Sequence, residues 1–270
     1  MQMGKIDRGQ QRRLDQFYTL PSVAERFVSA AVRHTSNRSS DWLYLEPSAG
    51  EGAFFDNLPF PRVGVDISSP RADIVTADFL EWYPGAVKNP VATIGNPPFG
   101  KNSSLAIRFF NHAASFSDVI AFIVPKTFQK VSVQNKLSRS FHLVEEIDVE
   151  RNSFRFADDL YDVPCVFQVW ERRDELRPIA DRKFTHPHFS FVNNTVADFA
   201  FQRVGARAGL VSIDGLQKSP NSHYFIKANI CVDRIFSALS NIDWTPIKSR
   251  TAGNPSIAKP ELIAAYEAVT

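Results

Sequence analysis

The sequence is poor in cysteine, in long apolar runs and in net charge, and each shortage excludes a class of protein. Only Cys165 and Cys231 occur among its 270 residues, and they form no C-x-x-C pair, so neither a disulfide scaffold nor a structural zinc site is expected. No apolar run approaches the roughly 20 residues that span a bilayer. Residues 1–14 are polar and charged, unlike a signal peptide. We therefore expect a cytoplasmic protein without a membrane segment or a metal.

Charge is nearly balanced, which excludes a polycation that binds nucleic acid through bulk charge. There are 31 Lys and Arg residues against 29 Asp and Glu, so the formal net charge is +2. Any contact with nucleic acid must then come from local basic patches. Hydrophobic residues make up 44% of the chain and charged residues 22%, which is typical of a globular protein and excludes a wholly disordered one.

Short apolar runs alternate with longer mixed segments up to about Arg173. This alternation predicts an α/β fold with a mainly parallel, doubly wound sheet. A polar loop without a helix separates the last two strands, which are therefore expected to form an antiparallel hairpin at one edge. The predicted strands are residues 42–45, 62–65, 74–75, 91–94, 119–124, 143–149 and 165–170, and the predicted helices are residues 21–33, 104–115 and 132–140.

Beyond Arg173 the composition changes, and a second, smaller region is expected. Residues 174–187 are charged and contain two prolines, which suits a linker. Strands are predicted at 189–192, 199–204 and 223–227, and helices at 230–239 and from Lys259 onward, where Pro260 suits a first helical turn. We divide the chain into a main domain, residues 1–178, and a small α+β appendage, residues 179–270.

A glycine-containing loop, Glu46-Pro47-Ser48-Ala49-Gly50-Glu51-Gly52, directly follows the first predicted strand. Its glycines allow a tight turn and close approach of a ligand, and a helix is expected to follow with its free N–H groups. Asp66 ends the second strand, where a carboxylate can accept the hydroxyls of a ribose. The loop is not G-x-G-x-x-G and has no P-loop lysine, so it favours a nucleoside without a pyrophosphate. An ordinary strand-to-helix turn is the alternative.

Two further segments follow strands of the same sheet. Asp78-Phe79 offers a carboxylate for an exocyclic amine and a ring for stacking on a purine, although a capping Asp with a core Phe explains it equally well. Asn96-Pro97-Pro98-Phe99 ends the fourth strand, where ligands bind in open α/β sheets. Its prolines remove two donors and leave carbonyl acceptors. An amide oxygen, carbonyls and an aromatic ring together suit a planar heterocycle that carries an –NH₂ group.

These segments together resemble the N6-adenine DNA methyltransferases, which depend on S-adenosylmethionine. Asn96 to Phe99 is similar to the family's N-P-P-[YF] motif, and Glu46 to Phe54 resembles its glycine loop in the form P-S-A-G-x-G. Asp15 to Pro21 resembles the N-terminal motif of the subgroup in which that motif comes first. Residues 124–128 and 162–170 fit the same plan, so the resemblance covers about residues 15–173. It implies a Rossmann-like, seven-stranded methyltransferase sheet.

The resemblance also implies roles for individual residues. The Asn96 side-chain oxygen and the Pro97 carbonyl would accept the N6 hydrogens of an adenine that is flipped out of its helix and stacked on Phe99, with Pro98 completing the motif. Asp66 would bind the ribose and Ile67 the adenine ring of S-adenosylmethionine, while Asp78 and Phe79 would recognise and sandwich that ring. The implied cofactor-binding residues are Phe17, Tyr18, Thr19, Glu46, Pro47, Ser48, Ala49, Gly50, Gly52, Asp66, Ile67, Asp78, Phe79 and Asn96.

Nucleic acid, and DNA in particular, is the partner that the resemblance implies. For several of the candidate contacts a solvent-exposed or packing role is the simpler alternative. The candidate contacts are Lys126, Phe128, Lys130, Arg151, Arg155 and Tyr224.

The predicted activity is therefore adenine-N6 methylation of DNA by an orphan or restriction-modification enzyme, encoded by a bacterium or a phage. RNA N6-adenine methylation is the closest alternative, followed by N4-cytosine and protein-glutamine methylation, because these reactions use similar motifs. A protein that binds nucleic acid without catalysis is an alternative of a different class. The recognition sequence and the oligomeric state are left open.

Overall fold

The computed structural model describes residues 17–36, 41–86, 88–156 and 159–270. Within them the chain divides into two compact units, each with its own hydrophobic core. The first unit comprises the described residues up to Phe128 together with Val133–Ile179, and the second comprises Gln129–Ser132 and Ala180–Thr270. Asp15 and Gln16, which belong to the predicted N-terminal motif, lie outside the described residues.

A seven-stranded sheet forms the centre of the first unit, in the order β4-β3-β2-β5-β6-β10-β7. Strands β4, β3, β2, β5 and β6 run parallel to one another, and β10 lies antiparallel between β6 and β7. This confirms both the Rossmann-like α/β class and the antiparallel pairing of the last two predicted strands. The strands are β1 (Tyr18–Thr19), β2 (Leu43–Glu46), β3 (Arg62–Asp66), β4 (Val75–Thr76), β5 (Val91–Gly95), β6 (Val119–Pro125), β7 (Phe141–Asp148), β8 (Phe154–Phe156), β9 (Asp159–Tyr161) and β10 (Cys165–Arg172); the helices are α1 (Pro21–Arg33), α2 (Ser104–Ala113) and α3 (Val131–Gln134).

The central strands read as continuous apolar runs because both faces of a parallel sheet are covered. Every residue of β5 and of β6 is buried. The chain order reverses between β2 and β5, which are direct neighbours, so the polar residues at their carboxyl ends meet at the position where such sheets bind ligands.

Two predicted helices are corrected by the structure. The glycine loop leads into a single 3-10 turn, Phe55–Asn57, and not into an α-helix. Pro59 and Pro61 follow at once and oppose helical continuation, since proline lacks an N–H and restricts the residue before it. The helix predicted over residues 132–140 is reduced to α3, whose valines are poor helix formers.

A three-stranded sheet of order β1-β8-β9 was not predicted. Strand β1 pairs with β8 in the register Tyr18↔Arg155 and Thr19↔Phe154, and β8 pairs with β9. These strands are only two or three residues long, so their periodicity is too brief to identify. The sheet joins the N-terminal segment to the polar loop between β7 and β10.

The second unit contains a four-stranded antiparallel sheet of order β11-β14-β12-β13. The three predicted strands and both predicted helices of this region are present, and β13 is an addition. No helix in the described ranges is long and apolar enough to cross a bilayer. The strands are β11 (Phe189–Val192), β12 (Phe199–Gln202), β13 (Val211–Ser212) and β14 (His223–Ala228); the helices are α4 (Val232–Asn241), α5 (Thr245–Lys248) and α6 (Lys259–Glu267).

Candidate active site

A cavity of about 550 Å³ opens at the carboxyl ends of β2, β3 and β5 in the first unit. The structure brings most of the predicted cofactor and motif residues to its wall, including residues from β1, the glycine loop and the Asn-Pro-Pro-Phe segment. The predicted residues that line it are Phe17, Tyr18, Thr19, Glu46, Pro47, Ser48, Ala49, Gly50, Asp66, Ile67, Asp78, Phe79, Asn96 and Pro98.

The amide of Asn96 is held in one orientation. Its Nδ2 donates to the backbone carbonyl of Phe17 at 3.0 Å and to Oγ1 of Thr19 at 3.1 Å. Because a carbonyl oxygen can only accept, the nitrogen must face Phe17 and the oxygen must face the other way. That oxygen, Oδ1, is buried and has no hydrogen-bond partner. Asn96 therefore presents a fixed acceptor that awaits a donor.

Glu46 carries the second buried oxygen at this end of the sheet. The residue is 2% exposed, and its Oε2 atom has no hydrogen-bond partner. Burial raises the pKa of the Glu46 carboxyl well above its ordinary value; a backbone N–H from Phe55 lowers it, while the nearby carboxylates of Asp66 and Asp56 raise it further. The carboxyl group is therefore neutral over a pH range in which an exposed glutamate is ionised.

Asp66 closes the glycine loop by accepting backbone hydrogen bonds. Its Oδ2 accepts from the Gly50 N–H and its Oδ1 from the Ser68 N–H, both at 2.8 Å. Gly50 has φ +51°, and a Cβ there would lie 3.1 Å from Cε1 of Tyr18, so both its conformation and its space favour glycine. Each carboxylate oxygen keeps a lone pair free for a ligand hydroxyl.

Gly52 does not line the cavity, which corrects its predicted contact with a cofactor. It has φ +93°, and a Cβ at this position would collide with Nη1 of Arg71. Arg71 in turn forms ion pairs with Asp56 at 2.6 Å and Asp73 at 2.7 Å. The second glycine of the loop therefore makes room for this ion-pair network behind the site.

Asp78 and Phe79 cap a turn and pack in the core, as the structural alternative predicted, and their predicted contact with an adenine ring stays a prediction. The Asp78 Oδ1 caps the following turn by accepting from the Leu80 N–H at 2.9 Å. Phe79 is 2% exposed, and its ring packs against Phe109 with centroids 5.1 Å apart. Both residues nevertheless line the cavity. In contrast, the neighbouring cavity residue Ile67 is 60% exposed and leaves an open apolar surface.

Phe99 is not an open stacking surface, and Pro97 does not line the cavity. Phe99 is 8% exposed, and its ring lies beneath Phe17, with centroids 6.5 Å apart. Phe17 also stacks on Tyr161, with centroids 5.1 Å apart and planes 11° apart. We call Phe17, Phe99, Phe156 and Tyr161 the aromatic cluster. Its most exposed residue is Tyr161, at 41%.

One predicted nucleic-acid contact, Phe128, is wrong because its side chain is covered, and a second, Lys130, is largely buried and stays a prediction. Phe128 is completely buried in the core of the first unit. It follows β6 directly, where burial and exposure give the same local pattern. The Lys130 side chain is only 15% exposed, and its Nζ lies 3.4 Å from Oε2 of Glu261.

The other predicted cations of the first unit are engaged with acids. Lys126 pairs with Asp148 at 2.8 Å. Arg155 lines the cavity and pairs with Glu51 at 2.7 Å, so it belongs to the rim of this site. The Arg151 side chain is 90% exposed and lies 3.8 Å from Asp162. Their role toward nucleic acid stays a prediction.

Tyr224 lies in a groove on the second unit, together with Phe191, Lys259 and His223. The Lys259 ammonium lies 4.5 Å from the centroid of the Phe191 ring, and the Arg203 guanidinium lies 5.0 Å from that of Tyr224. Among the described residues that line the groove there is no acid, and Lys259 forms no ion pair with any described residue. We call this feature the aromatic groove.

Sequence reasoning missed three wall residues that α2 contributes, Leu105, Arg108 and Phe109. Leu105 and Phe109 are four residues apart and therefore share one face of the helix. The amphipathic pattern of this helix was visible in the sequence, but a face that packs on the core looks the same as one that lines a cavity.

Comparison with known proteins finds remote structural likeness only. No family model matches the sequence, and no curated protein matches it. The chain resembles a protein from Pyrococcus horikoshii proposed to be an RNA methyltransferase, with 16% identity over 59% of this chain and 87% of that one and a TM-score of 0.43. The N-methyltransferase NodS of Bradyrhizobium japonicum is 12% identical over 57% of this chain and 98% of that one, with a TM-score of 0.38. The magnesium protoporphyrin IX methyltransferase of Synechocystis, solved with bound S-adenosylmethionine, is 12% identical over 64% of this chain and 87% of that one, with a TM-score of 0.37. At such scores the likeness determines neither substrate nor reaction.

Proposed function

We propose that this chain is an S-adenosylmethionine-dependent methyltransferase that modifies the N6 amino group of adenine in DNA. The observation that carries the proposal is the Asn96 amide, whose nitrogen is tied to Phe17 and Thr19 while its buried oxygen has no partner. An exocyclic –NH₂ group supplies the donor that this oxygen lacks.

The residues of the cavity fit the proposed cofactor. Asp66 has lone pairs left for the two ribose hydroxyls, and Gly50 allows backbone to approach a ligand closely. Ile67 and Phe79 supply apolar surface for an adenine ring, and Glu46 supplies an unpaired oxygen for a cation. When bound, S-adenosylmethionine supplies a methyl group on a positively charged sulfur.

Asn96 would act by positioning the nucleophile. The lone pair of an aromatic amine is delocalised into the ring, so the nitrogen attacks poorly. By accepting one N6 hydrogen, the Asn96 oxygen favours a pyramidal nitrogen and holds it toward the donor. Ser48 supports this arrangement, because its Oγ donates to the Asn96 backbone carbonyl at 2.9 Å and so ties the glycine loop to the motif.

A base paired inside a duplex cannot reach this cavity, so the target must be flipped out. Phe99 is covered by Phe17, whereas Tyr161 is well exposed at the edge of the aromatic cluster. An incoming base would therefore meet Phe17 and Tyr161 before Phe99. Stacking on one such ring contributes on the order of 1–3 kcal/mol.

The aromatic groove of the second unit supports nucleic acid as the substrate class. Aromatic rings beside unpaired cations are the combination by which proteins hold nucleic-acid strands. The groove provides both, with Phe191 and Tyr224 next to Lys259.

The proposal is tested by incubating the full chain with methyl-labelled S-adenosylmethionine and unmethylated plasmid DNA, with bulk RNA in a parallel reaction. The nucleic acid is digested to nucleosides and analysed by mass spectrometry. The expected result is that the wild type forms N6-methyldeoxyadenosine and that the Asn96→Ala variant forms it much more slowly.

The remaining outcomes overturn specific parts of the proposal. Label only in RNA replaces the substrate and keeps the chemistry of Asn96, and N4-methyldeoxycytidine replaces the base. No label in either polymer, although the cofactor binds, rejects nucleic-acid methylation and points to a protein amide or a binding role. No cofactor binding rejects the proposed class of enzyme.

A further inference from the structure

Glu46 is a buried ionisable group with no role in positioning the target amine. It is the last residue of β2, and Gly95, the last residue of the adjacent strand β5, has no side chain. A Cβ at Gly95 would lie 3.2 Å from Cγ of Glu46 and 3.7 Å from its Oε1. The glutamate therefore occupies space that a side chain on β5 would otherwise fill.

The charges around Glu46 are mainly negative. Asp66 on β3 and Asp56 on the 3-10 turn face it as acids, whereas Arg71 is the cation on this side. Arg71 forms ion pairs with Asp56 and Asp73, and its effect on Glu46 is smaller than that of Asp66 or Asp56. From β5 no titratable group faces it, since Gly95 stands there. The surroundings thus oppose a buried negative charge here and raise the pKa of the Glu46 carboxyl.

The cavity gives Glu46 a route to ionisation. Its Oε2 atom has no partner in the folded protein, and the residue lines the 550 Å³ cavity. A ligand that brings a positive charge against this oxygen would favour the ionised form, because an opposite charge nearby stabilises a carboxylate. A neutral ligand would leave the proton where it is.

We propose that Glu46 is a proton-linked selector for cationic ligands: it is protonated when the cavity holds no cation and releases its proton to solvent when a cationic ligand binds. The exchange is balanced, since the carboxylic acid and the cation become an ion pair and one proton leaves. This inference rests on the proposed function, which identifies S-adenosylmethionine, with its sulfonium and ammonium groups, as the cationic ligand.

Affinity for the cofactor should then depend on pH. Below the raised pKa of Glu46, ligand binding must displace a proton, so the association constant rises by up to about tenfold for each pH unit and levels off above it. If Glu46 had the usual glutamate pKa of 4.5, the association constant would not rise in this way above pH 4.5.

Isothermal titration calorimetry of the full chain at a series of pH values above 4.5, in buffers of different ionisation enthalpy at each pH, tests the inference directly. The slope of observed enthalpy against buffer enthalpy counts the protons released. For S-adenosylmethionine and the wild-type protein we expect release that approaches one proton at pH values between 4.5 and the raised pKa of Glu46, and that disappears above it. No release on binding overturns the inference and leaves the proposed function intact, whereas no binding at all would count against both.

Two further ligands identify the cation. S-adenosylhomocysteine lacks the sulfonium charge and keeps the ammonium group, and methylthioadenosine lacks both charges. Release with both S-adenosylmethionine and S-adenosylhomocysteine assigns the ammonium group as the partner of Glu46, and release with S-adenosylmethionine alone assigns the sulfonium group. Equal release with methylthioadenosine would contradict a cation-driven exchange.

The Glu46→Gln variant is the decisive comparison, because glutamine keeps the shape and cannot ionise. It should bind S-adenosylmethionine without proton release and with an affinity that no longer rises with pH. Glu51→Gln is the matched control: Glu51 also lines the cavity, but its side chain is 55% exposed and paired with Arg155, so its replacement should leave the proton count unchanged. Proton release that persists in Glu46→Gln would assign the proton to another group and overturn the inference.

Discussion

Two buried oxygens without partners stand at the ends of neighbouring strands, Oδ1 of Asn96 after β5 and Oε2 of Glu46 on β2. Both belong to residues that line the same cavity, yet they differ chemically. The amide cannot ionise, and its nitrogen is pinned by two acceptors, so its oxygen has one orientation and one charge. The acid has no such restraint and can exchange a proton. The proposed roles follow this difference: Asn96 would recognise a neutral donor, and Glu46 would respond to a charge.

Removal of the fixed acceptor should have the largest effect. Asn96→Ala should lower the rate of methyl transfer by about 100- to 1,000-fold, the cost of losing one preorganised polar contact to a reacting group. Single-turnover kinetics with saturating DNA measures it, and calorimetry should show that cofactor binding persists. A variant that turns over like the wild type would remove the basis for the proposed role of Asn96.

Glu46 should instead affect how the stability of the folded protein depends on pH. Above pH 4.5 the unfolded chain ionises Glu46 while the folded protein keeps its proton, so the native state binds more protons and the wild type loses stability as pH rises through this window. Glu46→Gln lacks that loss. Its stability relative to the wild type should therefore increase by up to about 1.4 kcal/mol per pH unit.

Urea unfolding of both proteins at about pH 4 and about pH 7 measures this difference. A gap that does not widen between the two values would mean that folded Glu46 is already ionised, and the contrast with Asn96 would disappear.

A smaller effect is expected from the hydroxyl that orients Asn96. Thr19 is 7% exposed, and Thr19→Val removes one of the two acceptors of Nδ2 while the Phe17 carbonyl remains. A lost hydrogen bond of about 1–1.5 kcal/mol corresponds to a roughly 5- to 15-fold lower kcat.

Thr35→Val provides the control for this comparison. Thr35 is also buried, and it bonds to Tyr44 and to the Val32 carbonyl and does not line the cavity. It should lower stability without changing kcat. Equal losses of kcat in the two variants would indicate a general structural effect, and not a specific role of Thr19 in orienting the Asn96 amide.

The aromatic groove should give the smallest effect. Lys259→Met keeps an apolar stem on Phe191 and removes the charge, so DNA affinity should fall severalfold and the salt dependence of binding should decrease by about one ion. Lys248→Met is a suitable control, since Lys248 donates to the Ala206 carbonyl and does not line the groove. Fluorescence anisotropy with labelled DNA measures both, and equal effects would leave the groove without a specific role.

The sequence supported prediction best where a motif directly follows a strand. Asp66 ends one parallel strand and Asn96 follows another. The carboxyl ends of such strands meet at one edge of the sheet, so the position of both residues at the cavity could be predicted from their order along the chain. The prediction of a helix after the glycine loop was wrong, because Pro59 and Pro61 prevent the helix that a β-α alternation would place there.

Exposure was the property that could not be predicted residue by residue. Phe99 and Phe128 look in sequence like rings available for stacking, yet Phe17 covers the first and the core of the first unit encloses the second. Gly52 looks like a cofactor glycine, yet Arg71 occupies the space beside it. In each case a segment distant in the chain decides what the side chain meets.

The sequence by itself determined the α/β class, the order of the strands along the chain and the set of groups at one edge of the sheet, because periodicity and short motifs are local properties. Only the tertiary structure decided the states of those groups. Phe17 and Thr19 reach Asn96 from nearly 80 residues away and orient its amide. Burial at the end of β2 raises the pKa of Glu46. Hydrogen-bond direction and protonation depend on which distant atoms come within a few ångströms, and folding alone determines that.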